Sequence, residues 1–274
     1  MSFKVTAISM VRDEADIIEA TVGHMLTQVD EVIVADNGST DGTANLLRNM
    51  GGVIVVDDPD PGFWQSRKMS RLARYAHDRD ARWVIPVDAD ELWVSSKGTL
   101  KELLEEADPD YGIVTAELYD HVATAVDPDL GDAIDQLPWR RRHCLPLPKV
   151  AVRAHPDMVI EQGNHWARLP IPPRATLTPQ ITVHHYARRT VEQFIHKVRV
   201  GFAAYQATEG LPENVGAHWR QWGHFNDDQL RELFFVWYHR EDPLLPYTVP
   251  GTDPPEVHDP LIWDNPQRGR CPAF

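Results

Sequence analysis

The sequence predicts an α/β protein with a mixed, mainly parallel sheet flanked by helices and a helical extension at the C-terminal end. Three observations carry this. Over roughly the first 120 residues, short apolar runs alternate with segments of helical period, the pattern of crossover units on a parallel sheet. The apolar runs end in acids, at Asp36, at Asp57 with Asp58, and at Asp88 with Asp90. Beyond Arg189 the strand-like runs stop and two amphipathic segments follow.

Taken in order, Phe3 to Ser9 ("FKVTAIS") is a strand and Asp13 to Gln28 a helix, with Ile17, Ile18, Val22, Met25 and Leu26 on one face. Glu31 to Asp36 ("EVIVAD") is a buried strand. A short helix follows, with Thr40 or Asp41 as its N-cap. Gly52 to Asp58 is the third strand and Phe63 to Asp78 the next helix. "RWVIPVDADE" is the fourth strand, Leu100 to Asp108 a short helix, and Tyr111 to His121 a strand. Val122 to Pro148 has little periodicity, and long loops inside compact domains are usually functional. "KVAVRA", "MVIEQG" and "QITVHHYA" are further strands, the last two joined by the Pro-rich bridge "LPIPPRATLTP". "TVEQFIHKVRVGFAAYQATEG" and "NDDQLRELFFVWYHRED" are helices. The second carries Leu230, Leu233, Phe234, Trp237 and Tyr238 on one face, expected to pack against the main sheet. The tail from Pro243 is rich in Pro, Asp and Gly and is expected to wrap the surface.

Composition narrows the function classes. A hydrophobic content of 42% suffices for a sizeable core. The net charge of -14 argues against a broad nucleic-acid footprint, leaving "WRRRHC" (Trp139 to Cys144) as a local basic run, a solvated loop or a groove lining. Two cysteines, Cys144 and Cys271, make neither a disulfide framework nor a zinc cluster. There is no apolar run long enough to span a bilayer, and the N-terminus runs straight into a strand. The expected location is cytoplasmic, with the inner membrane face as the place for any peripheral association and no stable insertion.

The acids at the end of the fourth strand pose the chemical question. Asp88, Asp90 and Glu91 repel one another, and burying them unpaired costs several kcal/mol each. If the backbone stays extended through Ala89, Asp88 and Asp90 point to the same side. Hard oxygen ligands in that arrangement suit Mg²⁺ or Mn²⁺. The bland alternative is a pair of loop acids capping a turn.

Context favours the metal. "VRDEADIIEATVGHMLTQVDEVIVADNGSTDGT" followed by "FWQSRKMSRLARYAHDRDARWVIPVDADELW" resembles the family 2 glycosyltransferases of the GT-A (Rossmann-like) fold, and within them the branch that includes lipopolysaccharide-core glucosyltransferases. Asp36 to Thr43 stands where the family has Asp-Asn/Asp-Gly-Ser-Thr-Asp-Gly-Thr, and Asp88 to Glu91 where it has Asp-Ala-Asp-Glu. "HHYARRTVEQFIHK" (His184 to Lys197) is similar to a family His-Tyr segment that runs into a helix with a Lys. The resemblance covers roughly residues 3 to 200. It implies a catalytic domain over residues 1–189, with a nucleotide-sugar half to about residue 92 and an acceptor half over 93–189. Residues 190–274 are then C-terminal helices and a Pro-rich tail packed on the same domain.

The family implies transfer of a sugar from a nucleotide diphosphate sugar, a UDP-sugar in its commonest pattern, to an acceptor hydroxyl with inversion. The acceptor is a glycan, a lipid-linked or small molecule, with nucleic acid still open. The resemblance makes Asp90 the leading ligand for Mn²⁺ or Mg²⁺ and His185 a third ligand, with His184 next. Asp88 is shared between the metal and the ribose hydroxyls. Val11, Arg12, Glu14, Asp36, Asp58, Arg67, Asp88 and Ala89 are the nucleotide-binding candidates. Asp13 stands where the family has Asn. Arg67 either contacts the base or a phosphate, or is a solvent-facing charge among Lys68, Arg71 and Arg74. Inversion needs a general base. In the branch a His-Glu pair stands where this chain has His165 and Trp166, so the candidates are Glu161, then Asp120, then His165 itself. Trp93 and Trp166 flank the expected site and are candidates to stack on a sugar, whereas Trp64, Trp83 and Trp237 are expected to pack in the core. Lys149 and Arg153 either hold an anionic acceptor or solvate a strand edge. Two other classes compete: a nucleotidyltransferase, disfavoured because "SMVRDEAD" has no glycine, and a non-catalytic nucleotide-sugar binder, which the absent Glu beside His165 keeps open.

Overall fold

The structure is a computed structural model that describes residues 3–122, 134, 137, 139–141, 144–170, 174–212, 215–236 and 256–258. Four strands form its first half: β1 (Val5–Val11), β2 (Glu31–Asp36), β3 (Val53–Asp57) and β4 (Trp83–Pro86). They lie side by side in the order β4-β1-β2-β3, all parallel. Helices cover both faces, so β1, β2 and β4 read as nearly unbroken apolar runs. One layer of core is built from Val5, Ala7, Val32, Val34 and Ile85. The other sets Ile8, Ile33 and Val84 against Met69, Leu72, Ala73 and Ala76 of helix α3 (Gln65–His77).

The first helix, α1 (Ile18–Gln28), starts later than its apolar period suggests. Side chains of the Asp36 to Thr43 loop hold the backbone ahead of it. The N–H groups of Asp13, Glu14 and Ala15 donate to Ser39 Oγ (3.0 Å), Thr43 Oγ1 (2.9 Å) and Asp41 Oδ2 (2.9 Å). Asp13 is thereby held in the left-handed region, φ 53°. Helix α2 (Thr43–Asn49) begins at Gly42, whose φ of 105° needs glycine, and Asp41 Oδ1 accepts the Thr43 N–H at 2.9 Å.

The fourth strand is shorter than expected. It ends at Pro86, and the chain turns through Ala89 and Asp90 instead of staying extended. It re-enters the sheet as β5 (Glu91–Ser95), antiparallel to the strand Arg174–His185. Pro86, without an N–H, is a natural end for a strand. Asp88 and Asp90 therefore do not share a pleat face; each is aimed by the turn.

The second half of the sheet is largely antiparallel. It contains β6 (Tyr111–Val122), β7 (Trp139–Arg141), β8 (Lys149–Arg153) and β11 (Arg174–His185). β8 joins the halves by pairing antiparallel with β4 and β6. β11 lies parallel to β6, and β12 (Glu256–His258) extends the edge at β7. The Pro-rich bridge is mostly strand: β11 begins at Arg174 and its register slips between Leu177 and Thr182, the stretch holding Pro179. β9 (Val159–Ile160) and β10 (Ala167–Arg168) form a separate two-stranded ribbon, joined through a 3₁₀ turn at Gln162–Asn164. Helix α4 (Leu100–Glu105) is fixed by a capping box between Thr99 and Glu102.

The C-terminal helices Val191–Gln206, Ala217–Trp222 and Asp227–Val236 build a core of their own. Leu230, Leu233 and Phe234 pack against Val191, Phe194 and Val198, not against the main sheet as expected. The helix Val191–Gln206 offers an apolar stripe at helical spacing, which is the nearer complement. Trp237 and Tyr238 lie outside the described residues, as do most of Val122 to Pro148 and most of the tail. No described helix is long and apolar enough to cross a membrane.

Candidate functional site

The acids meet where the parallel strands end. The turn after β4 brings Asp88 and Asp90, β5 opens with Glu91, and the turn after β1 brings Glu14 and Asp16. Register sets His185 of β11 beside Asp120 of β6 on one side and Glu91 on the other.

Protein cations already stand among these acids. Lys149 Nζ lies 2.6 Å from Asp88 Oδ2 and 2.7 Å from Glu91 Oε1. Lys197 Nζ lies 2.6 Å from Asp90 Oδ2 and 3.4 Å from Glu14 Oε1. Arg189 donates to Glu14 Oε2, to both oxygens of Asp16 and to the Tyr186 carbonyl. His185 donates from Nδ1 to Asp120 Oδ1 at 2.7 Å and turns Nε2 to Asp90 Oδ1 at 3.5 Å. Burial favours the uncharged forms, yet the partners win almost everywhere. Lys149 holds Asp88 below the usual carboxylate range, and Lys197 with His185 holds Asp90 well below it. Asp90 and Asp120 lift His185 to about 10. Glu91 is the exception: burial outweighs Lys149 and pushes it up to about 7. Six carboxylates against four cationic groups leave two negative charges when all are ionised.

Two of these groups stand at ligand spacing, and His185, protonated among these acids, would have to give up its Nε2 proton to ligate an ion. Two donors each about 2.1 Å from one ion stand about 3.0 Å apart at a right angle and about 3.4 Å apart at the tetrahedral angle. The Asp90–His185 separation of 3.5 Å is close to that span. Asp120 behind the imidazole is the usual support of a ligating histidine. Asp88 fits less well, because its oxygens already take Lys149 and the Asn164 amide at 2.8 Å. Among the described residues no group of three or more His, Cys, Asp or Glu is arranged to hold a metal ion, so an ion at Asp90 and His185 would take its remaining ligands from water and substrate.

The other expected residues fall into three groups. Asp36 ends β2 level with Val11 and is 7% exposed; its oxygens take the Ser39 N–H at 3.3 Å. Beside it, Arg12 has a buried Nε with no hydrogen-bond partner. Both remain available to a ligand. Asp58, Glu14 and Ala89 are spoken for. Asp58 pairs with Lys68 at 2.8 Å inside the protein, Glu14 is held by Arg189 and Lys197, and the Ala89 carbonyl accepts from Thr21 Oγ1 at 2.8 Å. Arg67 faces out, paired with Asp60 at 2.7 Å and lying over the Trp64 ring.

Of the base candidates, Glu161 is exposed and pairs with Arg168 at 3.3 Å. Asp120 is engaged by His185, which with Arg188 and Arg141 overcomes burial and keeps its pKa low. The carbonyl of Pro148 accepts from His165 Nδ1 at 3.0 Å, which leaves Nε2 as the basic nitrogen. Burial and Lys149 push that imidazole below its ordinary value, so it stays neutral. His184 turns away and bonds His121 at 2.8 Å.

Three expectations change. Trp93 is fully buried, with its indole N–H on Glu91 Oε2 at 3.1 Å, and has no face for a sugar; Trp166 is 36% exposed. Lys149 is consumed by Asp88 and Glu91. Arg153 donates to the Tyr111 carbonyl at 2.7 Å and lies over Trp83. Sequence reasoning passed over Arg189, Asp16 and Asn164. Their one signal was position, Arg189 inside the His184 to Lys197 segment and Asn164 beside His165.

The model of the family described as glycosyl transferase family 2 matches residues 6–153. A TPR repeat-containing protein of Synechococcus elongatus is 32% identical over 88 residues, 32% of this chain and 21% of that protein. The chain thus spans about a fifth of that relative's length. Among solved structures, TarS 1-349 of S. aureus in complex with UDP aligns at TM-score 0.43 and 15% identity, over 85% of this chain and 71% of that one. A 4-diphosphocytidyl-2C-methyl-D-erythritol synthase aligns at TM-score 0.37 and 13% identity, over 56% of this chain and 76% of its own. These likenesses bear on neither substrate nor mechanism. The family match covers more than half of the chain, through the loop Asp36 to Thr43 and the turn Asp88 to Glu91: with its mixed sheet of GT-A type, the chain belongs to glycosyl transferase family 2.

Proposed function

We propose that this chain moves a sugar from a nucleotide diphosphate sugar to an acceptor hydroxyl, with inversion, using Mg²⁺ or Mn²⁺ held by Asp90 and His185. The observation that carries the reading is the His185 imidazole, buttressed by Asp120 and aimed at Asp90 across 3.5 Å. A divalent ion held there would supply Lewis-acid stabilisation of the diphosphate leaving group. Asp36 is placed to accept a base N–H, and Asp88, whose side chain keeps 30% of its exposure, to accept ribose hydroxyls. His165 takes the proton from the acceptor hydroxyl through Nε2, supported by its neutral state and fixed tautomer. A uridine donor is the first to test, because the resemblance to the lipopolysaccharide-core branch favours it; the acceptor is a glycan, a lipid-linked or a small molecule.

The test is a thermal-shift screen of UDP-, GDP-, dTDP- and CDP-sugars with and without Mn²⁺. One nucleotide should stabilise the protein, by about 2.7 kcal/mol at a hundred times its Kd. Asp90→Ala should remove the metal-dependent part of the shift. If no nucleotide shifts the transition, or the mutant responds to Mn²⁺ like the wild type, the reading is wrong.

A further inference from the structure

Asn164 stands in a backbone conformation that L side chains seldom adopt. Its φ is 59°, directly after Gly163 at φ 75°, in the 3₁₀ turn between β9 and β10. The turn is clamped from two sides. Gln65 Oε1 of α3 accepts the Gly163 N–H at 2.9 Å, and the Gly163 carbonyl accepts from Lys149 Nζ at 3.0 Å. Asn164 is 1% exposed, and its side-chain amide donates to Asp88 Oδ1 at 2.8 Å. Among the described residues its Oδ1 is buried with no hydrogen-bond partner. A buried acceptor without a donor is costly. So is a left-handed residue other than glycine, even where it is asparagine. Both costs fall on a side chain whose amide reaches a carboxylate of the site, and strain of this kind gathers where it serves a site.

What that bond does follows from the torsion it controls. An aspartate carboxylate turns easily about χ2, whose wells are broad. Lys149 holds Asp88 Oδ2 at 2.6 Å, and one anchor alone leaves the other oxygen free to swing. Asn164 supplies a second anchor, on Oδ1, and sets the carboxylate plane. Each oxygen still has a lone pair to offer, and the Asp88 side chain is 30% exposed. A ribose presents two neighbouring hydroxyls, and both can donate together only to a carboxylate whose plane is set. A single hydroxyl can follow one that swings.

We propose that Asn164 is a positioning residue that fixes the Asp88 carboxylate for a ribose diol, so that the site selects ribonucleotides over 2′-deoxyribonucleotides. This rests on the transfer reading above, in which Asp88 accepts the ribose hydroxyls, and it narrows the donor to a ribonucleoside diphosphate sugar. Asn164 acts through Asp88 and exchanges no proton in the transfer. The residue after it is His165, so one clamped turn carries both the anchor of the ribose acid and the base.

The experiment is calorimetric titration of UDP, GDP and CDP, each beside its 2′-deoxy counterpart and with Mn²⁺ present, into wild type, Asn164→Gly and Asn164→Asp. Glycine suits the left-handed backbone and aspartate tolerates it, and neither brings an amide. The wild type should prefer one ribonucleotide over its deoxy form by about tenfold or more, the worth of a hydrogen bond to a charged group. In Asn164→Gly that preference should fall to about twofold or less, while the deoxy form keeps its affinity within about threefold. If Asn164→Gly does not fold, Asn164→Asp reads the same split. A preference that survives loss of the amide overturns the inference, as does an equal loss of both forms, which is what a merely structural role gives. A wild type that binds a diphosphate without preferring its ribose form also overturns it and leaves the transfer reading standing. A wild type that binds no diphosphate overturns the transfer reading itself.

Discussion

The stretch matched by the family, residues 6–153, and the stretch from β11 through the helix Val191–Gln206 contribute opposite halves of one site. The first supplies the carboxylates, Glu14, Asp16, Asp88, Asp90, Glu91 and Asp120, with Lys149 paired to Asp88 and Glu91. The second supplies His185, Arg189 and Lys197. The acid rim of the matched part is thus electrostatically unfinished by itself. The C-terminal segment is part of the site, not an appendage, even though its own apolar core is separate from that of the sheet.

Arg189→Met should break this division of labour most severely. It takes from the buried Glu14 its main partner, leaving Lys197 at 3.4 Å, and removing one partner of a buried ion pair typically costs about 3–5 kcal/mol. Urea unfolding should show a loss in that range; a loss under about 1 kcal/mol would mean the two halves are independent. Leu230→Ala cuts the private core of the C-terminal helices, where Leu230 is fully buried. A loss of about 2–5 kcal/mol is expected. Because this residue touches no rim group, the Mn²⁺ response should survive it. Thr99→Ala removes the capping box of α4, whose bonds run only to Glu102, and should cost about 1 kcal/mol with nucleotide binding unchanged.

The smallest effect is one of pH. Burial would raise the Glu31 carboxyl, but Arg79 and Lys4 outweigh it and hold it below the ordinary value of 4.5. A carboxylate with a depressed pKa in the folded state lends stability above its unfolded value, lost as pH falls through the folded one. Glu31→Gln should therefore lower the melting temperature at pH 7 and flatten its decline below about pH 4.5. Equal declines in the two proteins would show that other acids govern acid unfolding.

The parallel strands were legible because burial on both faces writes them as apolar runs closed by acids, and β2 ends at Asp36 as its sequence indicates. The start of α1 was not, because side chains more than two dozen residues away bind the amides of Asp13, Glu14 and Ala15 and hold Asp13 in the left-handed region, where a right-handed helix cannot run. β11 was half hidden by the prolines of its bridge. In the site, the acids stood out because charge ending an apolar run is conspicuous. Lys197 entered only as the lysine closing the His184 to Lys197 resemblance, and only folding brings it to Asp90. Lys149, read from the sequence as holding an anionic acceptor or solvating a strand edge, is 2% exposed and paired with Asp88 and Glu91.

The ties between Arg189 and Glu14 span 175 residues, and that between Lys197 and Asp90 spans 107. A ribosome delivers the chain from its N-terminus, so the carboxylates emerge long before their counter-charges. Until residue 197 has cleared the exit tunnel, the nascent β-strands must keep those acids hydrated, and closing such long loops is slow and entropically costly. The acid rim is thus completed only after residue 197 has emerged, and a chain terminated before that point would carry its acids without their keepers.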